Sequence, residues 1–194
     1  MPSLAGLPIS AHLETCSDCR ARVGKLEENE GRAIEQAEPI SMRANALERV
    51  MSRLDDAPLA ETSGQDFTDQ LEGARLPAAA ERLGLRRRRY LAPGLWAAQV
   101  RGDFLSGWRA FLLRVPRGTT IPTHGHEGRE VIAVLSGAFS DGRTYNAGDF
   151  VECTRADEHE LKVSGDRPCV CLIAIQGRLR WQGWARVITP VLGL

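Results

Sequence analysis

Between Gly118 and His159 the chain reads GTTIPTHGHEGREVIAVLSGAFSDGRTYNAGDFVECTRADEH. This stretch constrains the fold more than any other. It holds His124, His126 and Glu130, with His159 some thirty residues later. Imidazole nitrogens and a carboxylate oxygen are ligands that Zn, Fe(II), Mn and Ni share. On an extended strand residues i and i+2 point to one face, so His124 and His126 can project together. Glu130 opens the next apolar run, Val131 to Leu135, and a turn at Gly128 brings its carboxylate back beside them. His159 follows a third strand-like run, Asp149 to Thr154. Four such ligands on neighbouring strands predict one metal centre inside a small β-structure.

The spacing resembles that of the cupins. Gly118, five residues, His124-x-His126, three residues, Glu130, six residues and Gly137 match the first cupin motif. Gly148, ten residues and His159 match the second, although its Pro-x-Gly is replaced by Thr154-Arg155-Ala156. The departure touches turn chemistry and leaves the ligand set intact. Three of the chain's four histidines fall on the ligand positions, which disfavours ordinary surface histidines.

The rest of the chain must be fitted around this unit. Its 194 residues suffice for one domain or two small ones. Twenty-five basic and twenty-five acidic residues leave no net charge, hence no electrostatic case for nucleic acid or an anionic membrane. No apolar run approaches the roughly 20 residues of a spanning helix, and MPSLAGLPIS lacks the features of a signal peptide. A cytoplasmic chain is expected. Five cysteines without framework spacing read as metal ligands, redox thiols or core residues.

A second ligand pattern lies near the start, His12-x3-Cys16-x2-Cys19. On a helix, offsets of 4 and 7 return to nearly the same face, so all three can reach one Zn2+. A fourth ligand is expected from water, from a carboxylate such as Glu14 or Asp18, or from a residue upstream of Met1. Helices should follow. Val23, Leu26, Ala33 and Ala37 form a thin stripe, weakened by Gly24 and Gly31 and ended by Pro39. Ser41 is placed to cap a second helix carrying Leu47, Val50, Met51 and Leu54 at i, i+3, i+4, i+7. So few large apolar side chains make a poor independent core, and zinc would add folding free energy on the order of 10 kcal/mol.

Together these parts resemble the zinc-binding anti-sigma factors, and within them the ChrR type, in which a helical zinc domain precedes a cupin. The resemblance runs from about residue 10 to the end. It implies His12, Cys16 and Cys19 as zinc ligands, and His124, His126, Glu130 and His159 as ligands of Zn2+ or another divalent metal. It implies an extracytoplasmic-function sigma factor as partner, with Leu47, Val50, Met51 and Leu54 on the sigma-binding helix. In that family a further ligand sits on a helix before the motif, and this sequence has none there. ChrR-type cupins also carry Cys-x-Cys ten residues after the last histidine, matched by Cys169 and Cys171.

The expected fold is α + β in two domains, a small helical zinc-binding domain followed by a cupin β-barrel of the jelly-roll kind. The domains are drawn at 1–56 and 76–194, with a polar linker at 57–75 that includes a short helical piece from Phe67 to Leu71. Leu76 to Leu85 should be a short helix, and Arg86 to Arg89 a solvated loop or sheet edge. Leu95 to Val100 and Trp108 to Val115 read as strands, with Asp141-Gly142 a two-residue hairpin turn. In CVCLIAI, a buried strand, Cys169, Cys171, Ile173 and Ile175 share one face. The two cysteines are either small core residues or a redox pair, and Cys153 has no role. Function then reads as a regulator that sequesters a sigma factor and releases it on an oxidative signal, singlet oxygen or peroxide, or on a small molecule sensed at the cupin metal. The protein is not an enzyme on this reading, and a homodimer through the cupin is compatible with it. The alternative is a metal-dependent cupin dioxygenase, which leaves His12, Cys16 and Cys19 without a task.

Overall fold

The structure, a computed structural model, describes residues 4–54, 71–102 and 107–183. The chain forms two compact units, Met1–Cys16 with Thr62–Leu194, and Ser17–Glu61. Most of the stretch drawn as a linker, up to residue 70, lies outside the described residues, as does most of the helical piece from Phe67 to Leu71.

Among the described residues the larger unit is built on eleven antiparallel strands. They are β1 (Arg89–Ala92), β2 (Leu95–Gln99), β3 (Trp108–Val115), β4 (Thr120–His126), β5 (Glu130–Ser136), β6 (Ala138–Asp141), β7 (Arg143–Asn146), β8 (Phe150–Cys153), β9 (Glu158–Ser164), β10 (Cys169–Gln176) and β11 (Leu179–Trp181). Six strands form one sheet in the order β1-β2-β3-β10-β5-β8, and five form another in the order β11-β4-β9-β6-β7. From β3 onward the chain changes sheet at every connection except the β6–β7 hairpin. That is a jelly roll. Among the described residues no ladder joins the two sheets, so the expected barrel is a two-sheet sandwich rather than a closed cylinder.

Two apolar layers hold this unit. Between the sheets lie Phe111, Ile132, Val134, Phe139, Leu161, Ile173 and their neighbours. The outer face of the six-stranded sheet carries Ala98, Ala110, Ala133 and Ala174 beside Trp96, Leu112 and Leu172. The alanines let a helix approach closely. α1 (Leu7–Thr15), preceded by a 3-10 turn at Leu4–Gly6, buries Leu4, Leu7 and Ala11 in this layer. α4 (Ala78–Leu83) adds Ala79 and Ala80 where a short helix was expected. The Glu14 carboxylate accepts a hydrogen bond from the Ala78 N–H at 2.8 Å, supplying one donor at the start of α4 with a partner.

β10 is central and buried on both faces, as its continuous apolar sequence predicts. Cys169, Cys171, Ile173 and Ile175 face the interior, while Val170, Leu172 and Ala174 face the outer layer. Arg89 lies on β1, an edge strand, with Arg86 and Arg87 in the exposed segment before it. The Arg88 guanidinium lies 4.7 Å from the Trp96 ring centroid. The β6–β7 register is centred on Gly142 alone (φ +68°) rather than on a two-residue Asp-Gly loop. At Thr154-Arg155-Ala156 the missing Pro-x-Gly is replaced by a side-chain clasp, since Asp157 Oδ2 accepts from Thr154 N–H (2.6 Å) and Thr154 Oγ1 (2.7 Å).

The smaller unit contains α2 (Ser17–Glu35) and α3 (Ala46–Met51). α2 buries none of its residues. α3 starts five residues beyond Ser41, and Ser41 is not its cap. Asn45 occupies that place in left-handed conformation (φ 66°), which its short polar side chain tolerates, after a turn closed by Ala46 N–H to Arg43 carbonyl at 3.0 Å. Among the described residues no helix is long and apolar enough to cross a membrane.

Candidate metal centre

The centre is assembled by strand register. On β4, His124 stands opposite His159 of β9 on one side and Trp181 of β11 on the other. Directly opposed residues in an antiparallel pair share a face. Trp181, His124 and His159 therefore form a row, with ring centroids 4.9 Å and 4.5 Å apart. His126, two residues on, joins the same face. The β4–β9 register shifts between Ile121 and His124. This bulge at Pro122-Thr123 turns Ile121 and His124, three apart, toward the same interior. Glu130 arrives from the opposite sheet, because the turn at Gly128 crosses between sheets instead of folding back within one. The expectation that this turn brings Glu130 to the histidines holds, by a different path.

All four side chains are buried, and their ligand atoms lie within 4.8 Å of one another. His124 Nε2 and His159 Nε2 are 3.1 Å apart, His126 Nε2 and Glu130 Oε2 3.1 Å, and His159 Nε2 and Glu130 Oε2 3.4 Å. Ligand atoms about 2.0–2.1 Å from a tetrahedral zinc stand roughly 3.3 Å from each other. Two imidazole nitrogens facing each other share at most one proton, whereas a divalent cation satisfies all four atoms at once. The outward nitrogens of His124 and His159 support that orientation. His124 Nδ1 donates to the Pro122 carbonyl at 2.9 Å, and His159 Nδ1 to Asp141 Oδ2 at 3.1 Å. Such partners fix which nitrogen faces a metal.

The electrostatics fit the same role. Burial opposes charge on Glu130, yet hydrogen bonds from His126 and His159 hold its carboxyl at about 2. Burial also opposes charge on His159, but Cys153 and Glu130 raise it to about 10. Burial lowers His124, against the Pro122 hydrogen bond. Without a cation the quartet thus sets a protonated His159 against the Glu130 carboxylate, and a divalent cation would displace that proton.

Near the start of the chain, helix α1 ends at Cys16, whose backbone is extended (φ −92°, ψ 106°), so the single helix expected across this motif is broken there. The ligand atoms of His12, Cys16 and Cys19 nevertheless lie within 4.8 Å of one another. His12 Nδ1 donates to the Gly148 carbonyl at 2.7 Å, which leaves Nε2 as the ligand nitrogen. That group contains neither Glu14 nor Asp18.

The family of cupin domains matches residues 111–175. A crystal structure of Rhodobacter sphaeroides SigE in complex with the anti-sigma ChrR contains a chain that matches 91% of this one and is itself 90% covered, with a TM-score of 0.67 and 32% identity. The anti-sigma-E factor ChrR of Cereibacter sphaeroides is 30% identical over 181 residues, 92% of this chain and 83% of that protein. The chain belongs to the ChrR family.

Residues that sequence reasoning left without a role complete this ChrR-family site. Cys153, opposite Glu130 on β8, places its Sγ 3.6 Å from His159 Nδ1. Asp141, a turn residue by sequence, lies 3.1 Å from His159 Nδ1, and the Trp181 ring packs beside His124. Cys169 and Cys171 are buried with Sγ atoms 3.5 Å apart, and hydrogen bonding to Cys169 together with burial pushes the Cys171 thiol up. A protonated buried thiol is a poor nucleophile, so Cys171 rests in the core as a thiol. Leu47, Val50, Met51 and Leu54 are all exposed, at 73%, 59%, 56% and 61%. We expect Asp141→Asn to weaken metal binding about 10- to 100-fold, because His159 loses a charged orienting partner. Competition with a fluorescent zinc chelator measures this, and an unchanged affinity would remove Asp141 from the site.

Proposed function

We propose that this protein is an anti-sigma factor that sequesters an extracytoplasmic-function sigma factor in the cytoplasm. The observation that carries the proposal is full-length similarity to ChrR, matched in both chains over nine-tenths of their length in a structure where ChrR is bound to SigE. The smaller unit supports it. A segment exposing Leu47, Val50, Met51 and Leu54, with Ile40 91% and Met42 82% exposed, carries apolar surface suited to a protein partner. His12, Cys16 and Cys19 hold a Zn2+ in this reading, and His124, His126, Glu130 and His159 hold Zn2+ or another divalent metal.

Release of the sigma factor requires a signal that changes the free-energy difference between bound and free states. An oxidant or small molecule acting at the cupin supplies it. Cys169 and Cys171 are the redox pair of this reading. Oxidation by a hydroperoxide turns two thiols into one disulfide and yields an alcohol and water. The dioxygenase alternative uses the same four ligands but assigns nothing to Ser17–Glu61.

The test is retention of the sigma factor that co-purifies with the tagged protein from its native cells. The double substitution Leu47→Asp and Val50→Asp should lower its affinity by at least about 100-fold, the scale of losing paired apolar anchors. Far-ultraviolet circular dichroism checks that the helices persist. If no sigma factor co-purifies, or the double variant retains it equally well, the docking face is wrong.

A further inference from the structure

The interior of the β-sandwich contains a cavity of about 280 Å3 that opens beside the four-residue centre. Its floor is formed by Phe111, Ile173 and Ile175, all buried, and its mouth by Leu91, Leu95 and Thr120. His124 and Glu130 line it too, and among the described residues they are the only ionisable groups that do. From Thr120 to His124 the strand spans about 13 Å. The walls are mainly aliphatic, so the occupant is an aliphatic chain rather than a polar metabolite.

Size and charge narrow the class. A dry apolar cavity of about 150 Å3 accommodates benzene, so one nearly twice as large holds roughly ten to twelve non-hydrogen atoms. At the polar end a divalent cation with the Glu130 carboxylate and three neutral imidazoles carries a net charge of one positive unit. A single anionic oxygen donor balances it. We propose that this cavity binds a medium-chain aliphatic monocarboxylate, with the chain between Phe111, Ile173 and Ile175 and the carboxylate directed to the metal end at His124 and Glu130. The proposal rests on the reading of the quartet as a metal site and names the chemistry of the small molecule it would sense.

The full chain, with zinc content measured by plasma mass spectrometry, is titrated calorimetrically with decanoate, methyl decanoate and acetate. Decanoate is expected to saturate at one per chain, the methyl ester to bind at least tenfold more weakly, and acetate to show no heat over the same range. Ile173→Trp fills the floor and should weaken decanoate at least tenfold with unchanged zinc content. Leu95→Trp, at the half-buried mouth, repeats the test without altering the floor. Equal binding by both Trp variants puts the ligand elsewhere and overturns the proposal, as does equal binding of the ester. A protein with zinc at the cupin that binds no decanoate overturns it too, while the metal reading stands. A protein without zinc there fails the metal reading, and the carboxylate anchor falls with it.

Discussion

Replacing Glu130 with Gln will cost the chain its cupin metal. The substitution preserves shape, so the fold is little disturbed, but it removes the only anionic ligand from a set whose other members are imidazoles. After dialysis against a mild chelator, bound metal should fall by one equivalent per chain, while His12→Ala removes a different equivalent. The loss should also appear in stability. A ligand at 1,000 times its Kd stabilises a fold by about 4 kcal/mol. For a chain of this size that corresponds to roughly 10 °C in melting temperature. Wild-type protein should therefore melt later as zinc is added at micromolar levels, and the variant should show only the smaller shift due to the His12, Cys16 and Cys19 group. If Glu130→Gln keeps its full complement and the whole of the wild-type shift, the quartet is not a metal site.

Gly137→Ala should destabilise the protein by more than about 3 kcal/mol, a large fraction of the roughly 5–15 kcal/mol that holds a typical fold. Gly137 joins β5 of one sheet to β6 of the other at φ +71°. A Cβ there would overlap the Pro168 carbonyl oxygen, which is backbone and has nowhere to rotate. Gly142 offers the internal control. Its φ is similar, at +68°, but nothing lies within 4 Å of the added carbon. Gly142→Ala pays only the left-handed conformation, about 1–2 kcal/mol. Urea unfolding of the two variants separates the effects, and equal losses would show that the Pro168 contact yields easily.

The four ligands were legible in the sequence because metal chemistry restricts residue types and strand geometry restricts spacing. His124 and His126 need only the two-residue period of a strand to meet. The partners of those ligands were not legible. That Cys153 faces His159 follows from its pairing with Glu130, and no local pattern on β8 reveals that register. The bulge that re-aims His124 likewise depends on how β4 meets β9. Residues 7–15 were harder still. Leu7 and Ala11 find their place against Ala98, Ala110, Ala133 and Ala174, which come together only once β2, β3, β5 and β10 are side by side. The break of helix at Cys16 went unseen for a related reason. Helical spacing and a broken helix both bring His12, Cys16 and Cys19 together, so the spacing alone does not distinguish them.

β10 is one residue thick and has no free side. Each of its buried side chains from Cys169 to Ile175 is committed either to the interior that borders the ligand quartet or to the layer beneath α1, in strict alternation. Ile173 and its neighbours Leu172 and Ala174 share peptide planes, so the strand cannot yield on one side alone. Any atom added against Ile173 in the interior is thus one peptide unit from the Leu172 and Ala174 side chains in the layer that α1 shares.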